Sequence, residues 1–244
     1  MPLSSRRPRL LPSTSLLGQA DKAALERRFR DFVADQAFPC VGAKSALARG
    51  GMEIVIARDI TSAWDDVRIC EVLLDFAARY RADPGPFKSL AVVFAGPVVM
   101  TEAAFEAALW QRLQSLSDKD GWLGQAYDPR VSDDPDNPHF SLSFGGEAFF
   151  VVGLHPGASR PARRFETPAL VFNTHDQFDR LRQDGRYEQL RSKIIERDVA
   201  LSATPNPMLA RFGERSEARQ YSGRVAPEDW TCPFEPKPRS KHDA

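Results

Sequence analysis

Phe140-Ser-Leu-Ser-Phe144, Gly145-Gly146-Glu147 and Ala148-Phe-Phe-Val-Val-Gly-Leu154 run on from one another, and the fold turns on how they are read. Two apolar runs flank a pair of glycines, and glycine supplies the positive φ values that a tight turn requires. The stretch therefore predicts an antiparallel hairpin. Its first arm alternates apolar and polar residues, as a strand with one solvated face does. The second arm is apolar on both faces, as in a central strand.

Working upstream, Thr101 can cap a helix carrying Phe105, Leu109, Leu113 and Leu116 at helical spacing, and Ser89 to Ala95 is a short apolar run bounded by turn residues. Downstream, Ala169 to Asn173 predicts a strand, followed by a helix near Asp176 to Leu181 and a longer one from Tyr187 to Val199 that turns Tyr187, Leu190, Ile194 and Ile195 inward. The order strand, helix, three strands, helix predicts an α+β fold, with an antiparallel-rich sheet and helices packed on one face.

Nearer the N-terminus, Leu25, Phe29, Phe32 and Val33 mark a helix that Asp21 can cap and Pro39 ends. A loop over Phe38 to Ser45, a strand over Met52 to Ala57 and a helix capped by Ser62 follow. Asp118 to Pro138 is polar, rich in Asp, Pro and Gly, and long for a connection, which makes it a candidate lid. Beyond Pro205 the chain is written in turn residues, yet it holds Met208, Leu209, Phe212, Tyr221, Trp230 and Phe234. So many large apolar groups predict a segment that wraps the domain. The expectation is one catalytic domain over residues 21–234, with loosely ordered tails at 1–20 and 235–244.

Lys plus Arg and Asp plus Glu number 33 each in 244 residues, so no net field draws the protein to nucleic acid or anionic lipid. No run approaches the ~20 apolar residues of a membrane span, and Pro12 and Ser13 interrupt the apolar start of a signal peptide. Three cysteines, Cys40, Cys70 and Cys232, with no C-x-x-C pair, argue against a disulfide framework or a structural zinc. The cytoplasm is the expected location.

Several familiar motifs are absent. Gly42-Ala43-Lys44-Ser45 ends like a phosphate loop, but Ala37 stands where its first glycine belongs. Of the four histidines, His242 lies in the tail, His139 ends the long polar stretch and His175 follows the strand ending at Asn173. His155 ends the second hairpin arm, and Arg160, Arg163 and Arg164 follow it within nine residues. An imidazole beside guanidinium forks suits a cofactor bearing carboxylates or phosphates, although the same run could be a solvated basic turn. Phe38-Pro39-Cys40-Val41-Gly42 has the local look of a thiolate haem ligand; a buried, inert cysteine is the plainer reading.

Taken together, Phe38-Pro39-Cys40-x-Gly42-Ala43, Phe140 to Glu147, Gly153-Leu-His155-Pro-x-Ala-Ser159-Arg160, Arg163-Arg164-Phe165, Asn206-Pro207-Met208-Leu209 and Ser216-Glu217-Ala218-Arg219-Gln220-Tyr221 resemble the YqcI/YcgG family. The likeness is strongest to a branch of haem-dependent guanidine N-hydroxylases, which includes the pre-guanitoxin N-hydroxylase and arginine N-hydroxylases. That resemblance implies haem b, oxygen or peroxide as oxidant, an electron-donor protein, and a small guanidine-bearing substrate such as arginine. His155, with His175 second and Cys40 as the thiolate alternative, is then the expected iron ligand. Arg160, Arg163 and Arg164 are the expected propionate partners. Glu147 and Glu217 are the motif-borne carboxylates for a guanidinium, with Glu147 otherwise a solvated turn residue. A haem carrier or sensor without turnover, and a cofactor-free protein in which the basic turn stitches a loop to the sheet, are the competing expectations.

Overall fold

The computed structural model describes residues 18–239. Helices α1 (Gln19–Ala34) and α2 (Val41–Ala48) lead into strand β1 (Met52–Asp59). Helix α3 (Asp66–Ala82), strand β2 (Ser89–Gly96) and helix α4 (Glu102–Trp122) follow, and then come β3 (Leu142–Phe144), β4 (Glu147–Leu154) and β5 (Ala169–Thr174). Helices α5 (His175–Gln183), α6 (Tyr187–Ser202) and α7 (Ala218–Tyr221) complete the order. The strands form one sheet in the order β1-β2-β5-β4-β3. β1 and β2 run parallel, with Met52 opposite Ser89, and every other neighbouring pair is antiparallel. The expected α+β class, mostly antiparallel, is the fold observed. Gly145 and Gly146 make the hairpin turn at φ +59° and +76°.

The helices cover both faces of the sheet rather than one. Each strand alternates: Leu90, Val92 and Phe94 of β2, Phe149 and Val151 of β4, and Leu170 and Phe172 of β5 pack under α3 and α4. Ala91, Val93, Leu154, Ala169 and Val171 pack under α1 and α2. The physical reason lies in β2, whose residues Leu90 to Phe94 are all buried. A strand apolar on both sides must be covered twice. Gly153 is fitted to this packing, because a Cβ there would come within 2.6 Å of the Phe105 ring.

The stretch from Asp118 to Pro138, expected as a lid, is a strap along the hairpin. α4 runs on through Trp122, and the buried Asp120 carboxylate accepts the Gly145 N–H at 2.7 Å. Asp128 accepts the Ala148 N–H at 2.9 Å, and the Tyr127 hydroxyl donates to the Ser141 carbonyl at 2.7 Å. Carboxylates that receive backbone donors at a sheet edge hold this segment down without any regular element. The expected loop at Phe38 to Ser45 is in part α2, capped by the Cys40 thiol, which accepts the Ala43 N–H at 3.4 Å.

The C-terminal segment wraps the domain as its apolar residues predict. Tyr221 and Phe234 are buried beside Trp110 of α4, with ring centroids at 5.7 and 6.4 Å. Residues 235–239, expected to be loose, are fastened. Glu235 exchanges hydrogen bonds with Gln114 at 2.9 and 3.1 Å, Lys237 pairs with Asp118 at 2.6 Å, and Arg239 pairs with the fully buried Asp120. The expected tail at 1–20 falls outside the described residues apart from Gly18, Gln19 and Ala20, the last two of which open α1; His242 lies outside them as well.

Candidate functional site

On the α1/α2 face the packing is incomplete and leaves a cavity of about 330 Å³. Its floor is the sheet, through Met52, Phe150, Val152, Val171 and Asn173, and its walls come from α1, α2, α5, α6 and the segment after Pro205. Phe150, Phe178, Phe212 and Tyr187 give it flat apolar surfaces. Cavities of this size and lining are the usual receptacles of small ligands.

Among the described residues His175 is the one imidazole in the lining. It opens α5, immediately after β5, so strand geometry fixes its direction. Nε2 lies 3.5 Å from Glu217 Oε1, and Nδ1 lies 3.6 Å from Asp179 Oδ2. Phe212 meets its ring edge-on at 4.3 Å. Burial works against its charge, but the two carboxylates outweigh burial and hold its pKa up at about 9. Glu217, buried in the same wall, also lies 3.4 Å from the Tyr221 hydroxyl.

Arg160, Arg163 and Cys40 share the cavity, but the arginines are already engaged. Arg160 pairs with Asp198 and donates to the Thr204 carbonyl at 3.0 Å. Arg163 donates to the carbonyls of Gly153 (3.1 Å), Tyr221 (3.0 Å) and Gln220 (3.0 Å). Its pKa is pulled down by burial to about 10. Arg164 is outside the lining and donates to the Ala158 and Ser159 carbonyls at 2.9 and 3.1 Å. The basic turn thus ties a loop and the C-terminal segment to the end of β4. Burial also holds the Cys40 thiol up.

His155 and Glu147 are elsewhere. His155 shares a strand face with Phe149, Val151 and Gly153, so it points under α4, away from the cavity. Its ring stacks on Phe105 at 4.3 Å, it is 1% exposed, and its Nδ1 has no partner among the described residues. Burial lowers its pKa to about 4, which makes it a neutral packing group. Glu147 is buried at the hairpin turn and bound to Arg130 at 2.9 Å, so it is neither a solvated turn residue nor a cavity carboxylate. His139 meets Phe212 from outside the lining.

Asn173, Gln220 and Arg191 also line the cavity, outside the expected site residues. Gln220 is buried in the lining, and its side-chain amide has no partner among the described residues. Arg191 sits between Leu190 and Ile194 on the inward side of α6. A cation set in a helix's apolar stripe is a readable sign of a polar site.

Fold and cavity define an α+β protein with a ligand-sized, aromatic-walled chamber between the sheet and the helices of one face. The model of the YqcI/YcgG family matches residues 29–235, and the chain belongs to that family. It is 27% identical over 209 residues to a Bacillus subtilis (strain 168) protein described as uncharacterized protein YqcI, covering 81% of this chain and 80% of that one. No solved structure matches. Among the described residues no helix is long and apolar enough to cross a membrane.

Proposed function

We propose that this protein is a cytoplasmic haem-dependent monooxygenase that N-hydroxylates a guanidine-bearing small molecule, arginine or a derivative. The observation that carries the reading is the meeting of His175 and Glu217, 3.5 Å apart, in the wall of one aromatic-lined cavity. Family membership supports it. The residues present fit a haem b through His175 rather than His155. His175 has the ligand-sized space that His155 lacks, and a carboxylate at Nδ1 is the usual orienting partner of a metal-bound imidazole. Among the described residues no three His, Cys, Asp or Glu side chains are grouped to hold a metal ion.

When bound, the haem would supply oxygen activation from dioxygen or peroxide, with electrons delivered by a donor protein. The chain's part is to hold and orient. His175 gives up its extra proton to present a neutral nitrogen, and Asp179 steadies the ring. Glu217, once released from His175, offers two oxygens to the paired N–H groups of a guanidinium. Phe150, Phe178 and Phe212 keep bulk water from the site. Cys40 is the alternative ligand from the same wall.

Purified protein supplied with haem during expression should show a Soret band. Incubation with arginine, a reductant and oxygen should give a product heavier by one oxygen atom. A colourless protein that also fails to take up added haemin overturns the reading. The carbonyl complex separates the ligands, since a thiolate donates more electron density to the iron than an imidazole and shifts the band away from the imidazole position, which would point to Cys40. A haem carrier or sensor is the second reading. It is favoured by the existing engagement of Glu217 with His175 and Tyr221, and a haem-loaded protein that oxidises no guanidine would establish it.

A further inference from the structure

The charges on the cavity wall do not balance. Among the described residues six cationic side chains line it, Lys88, Arg160, Arg163, His175, Arg182 and Arg191, against two carboxylates, Asp198 and Glu217. Asp198 is taken by Arg160, and Glu217 by His175. Two carboxylates from behind the wall take two more cations: Asp83 pairs with Lys88 at 2.8 Å, and Asp179 with Arg182 at 2.5 Å. Arg163 and Arg191 remain. The three carbonyls around Arg163 satisfy its N–H groups without neutralising it, and with a pKa of about 10 it is charged at neutral pH. Arg191 has no acceptor among the described residues. Glu188, one turn earlier on α6, is engaged by Arg211 at 2.9 and 3.1 Å. Tyr187 lies under the Arg182 guanidinium at 4.4 Å.

A concave, apolar-walled site with excess positive charge focuses its field on an anion and repels a cation. We infer that the first ligand of this cavity is a flat amphipathic molecule bearing acid groups, and that Arg191 receives one of them through its guanidinium fork. This assigns the anion-receiving role to α6, not to the basic turn after β4. The inference deepens the haem reading and rests on it in one respect. A haem carries two carboxylates, which match the two unneutralised guanidiniums. Once it is bound and His175 has given up its proton, Glu217 is left as the unmatched charge for a guanidine substrate, so the acidic ligand precedes the cationic one.

The test uses two naphthalene probes of similar shape, 8-anilinonaphthalene-1-sulfonate and the uncharged N-phenyl-1-naphthylamine, titrated by fluorescence into the full chain and into Arg191→Gln. The native chain should bind the sulfonate at least about tenfold more tightly than the neutral probe, the margin one charge-assisted pair confers. Arg191→Gln should lose that margin with its affinity for the neutral probe unchanged, and Arg191→Lys should recover part of it. Equal affinities in the native chain, absence of sulfonate binding, or an Arg191→Gln variant that keeps the preference each overturns the inference. Haemin and its dimethyl ester are titrated in parallel. Haemin that fails to bind while the sulfonate preference holds removes the haem reading and leaves the anion site standing. Haemin that binds no better than its ester, with no sulfonate preference, does the reverse.

Discussion

His155 and His175 follow neighbouring strands of one sheet and are almost equally buried, at 1% and 4% exposure, yet their protons behave in opposite ways. His155 faces the filled side, where Phe105 covers its ring and burial, against the pull of Glu102 and with some help from Arg163, drops its pKa to about 4. His175 faces the hollow side, where Asp179 and Glu217 raise it to about 9. Burial sets the stakes for a charge, and the neighbours decide its sign. The filled face spends its alternate residues on close packing. The hollow face leaves its alternate residues, Phe150, Val152 and Val171 among them, as the floor of a space that charged groups from the helices and loops surround.

The largest test of this contrast removes the segment that serves both faces. A chain ending at Thr204 lacks Tyr221 and Phe234 from the filled face and Phe212 and Glu217 from the hollow one. Such a chain should be insoluble or fail to unfold cooperatively, as circular dichroism on heating would reveal. A cut after Phe234 should be felt as well, because it leaves Asp120 buried without Arg239. Losing one partner of a buried pair costs about 3–5 kcal/mol, and urea unfolding should report a loss of that order.

Adjacent positions on β4 give a finer comparison. Phe149→Ala, on the filled face, should cost about 3–5 kcal/mol. Phe150→Ala, which only widens an existing cavity, should cost clearly less. Equal losses would mean that the hollow face is as tightly packed as the other. The two histidines should separate by pH. His155 is depressed, so the unfolded chain takes up a proton that the fold refuses, and stability should fall as pH drops from about 6.5 to 4. His175 is raised, so its contribution is complete below about 6.5 and is lost as pH rises through about 9. Each shift is worth at most about 3 kcal/mol. His155→Phe should flatten the acid limb of the stability profile and His175→Gln the alkaline limb, and exchanged effects would reverse the assignment. The smallest change expected is Arg164→Ala. It removes two hydrogen bonds at a partly exposed turn and should cost about 1 kcal/mol or less.

The strands and the α4 stripe were legible as local apolar patterns with a period of two or about four, the turn from its paired glycines, and the wrapping segment from its content of large apolar residues. Coverage on both faces was also within reach, since Leu90 to Phe94 leaves no polar side to expose. The site was harder to read. His155 and the basic turn are close in sequence, but a strand sends consecutive side chains to opposite faces, and counting from Phe150 puts His155 on the far side. His175 and Glu217 are 42 positions apart, and only the return of the C-terminal segment over α5 joins them. The order in Asp118 to Pro138 comes from single carboxylates that take backbone donors, which has no period to detect.

Arg163 carries a consequence in time. Its guanidinium joins the Gly153 carbonyl on β4 to the carbonyls of Gln220 and Tyr221, so the knot that fixes the chamber's last wall waits for residues made long after the sheet. At roughly 5–20 residues per second, β5 is synthesised a few seconds before Glu217. During that interval the hollow face is an open shelf of phenylalanine and valine. Any ligand captured then is held without the wall that Phe212, Glu217 and Gln220 later add.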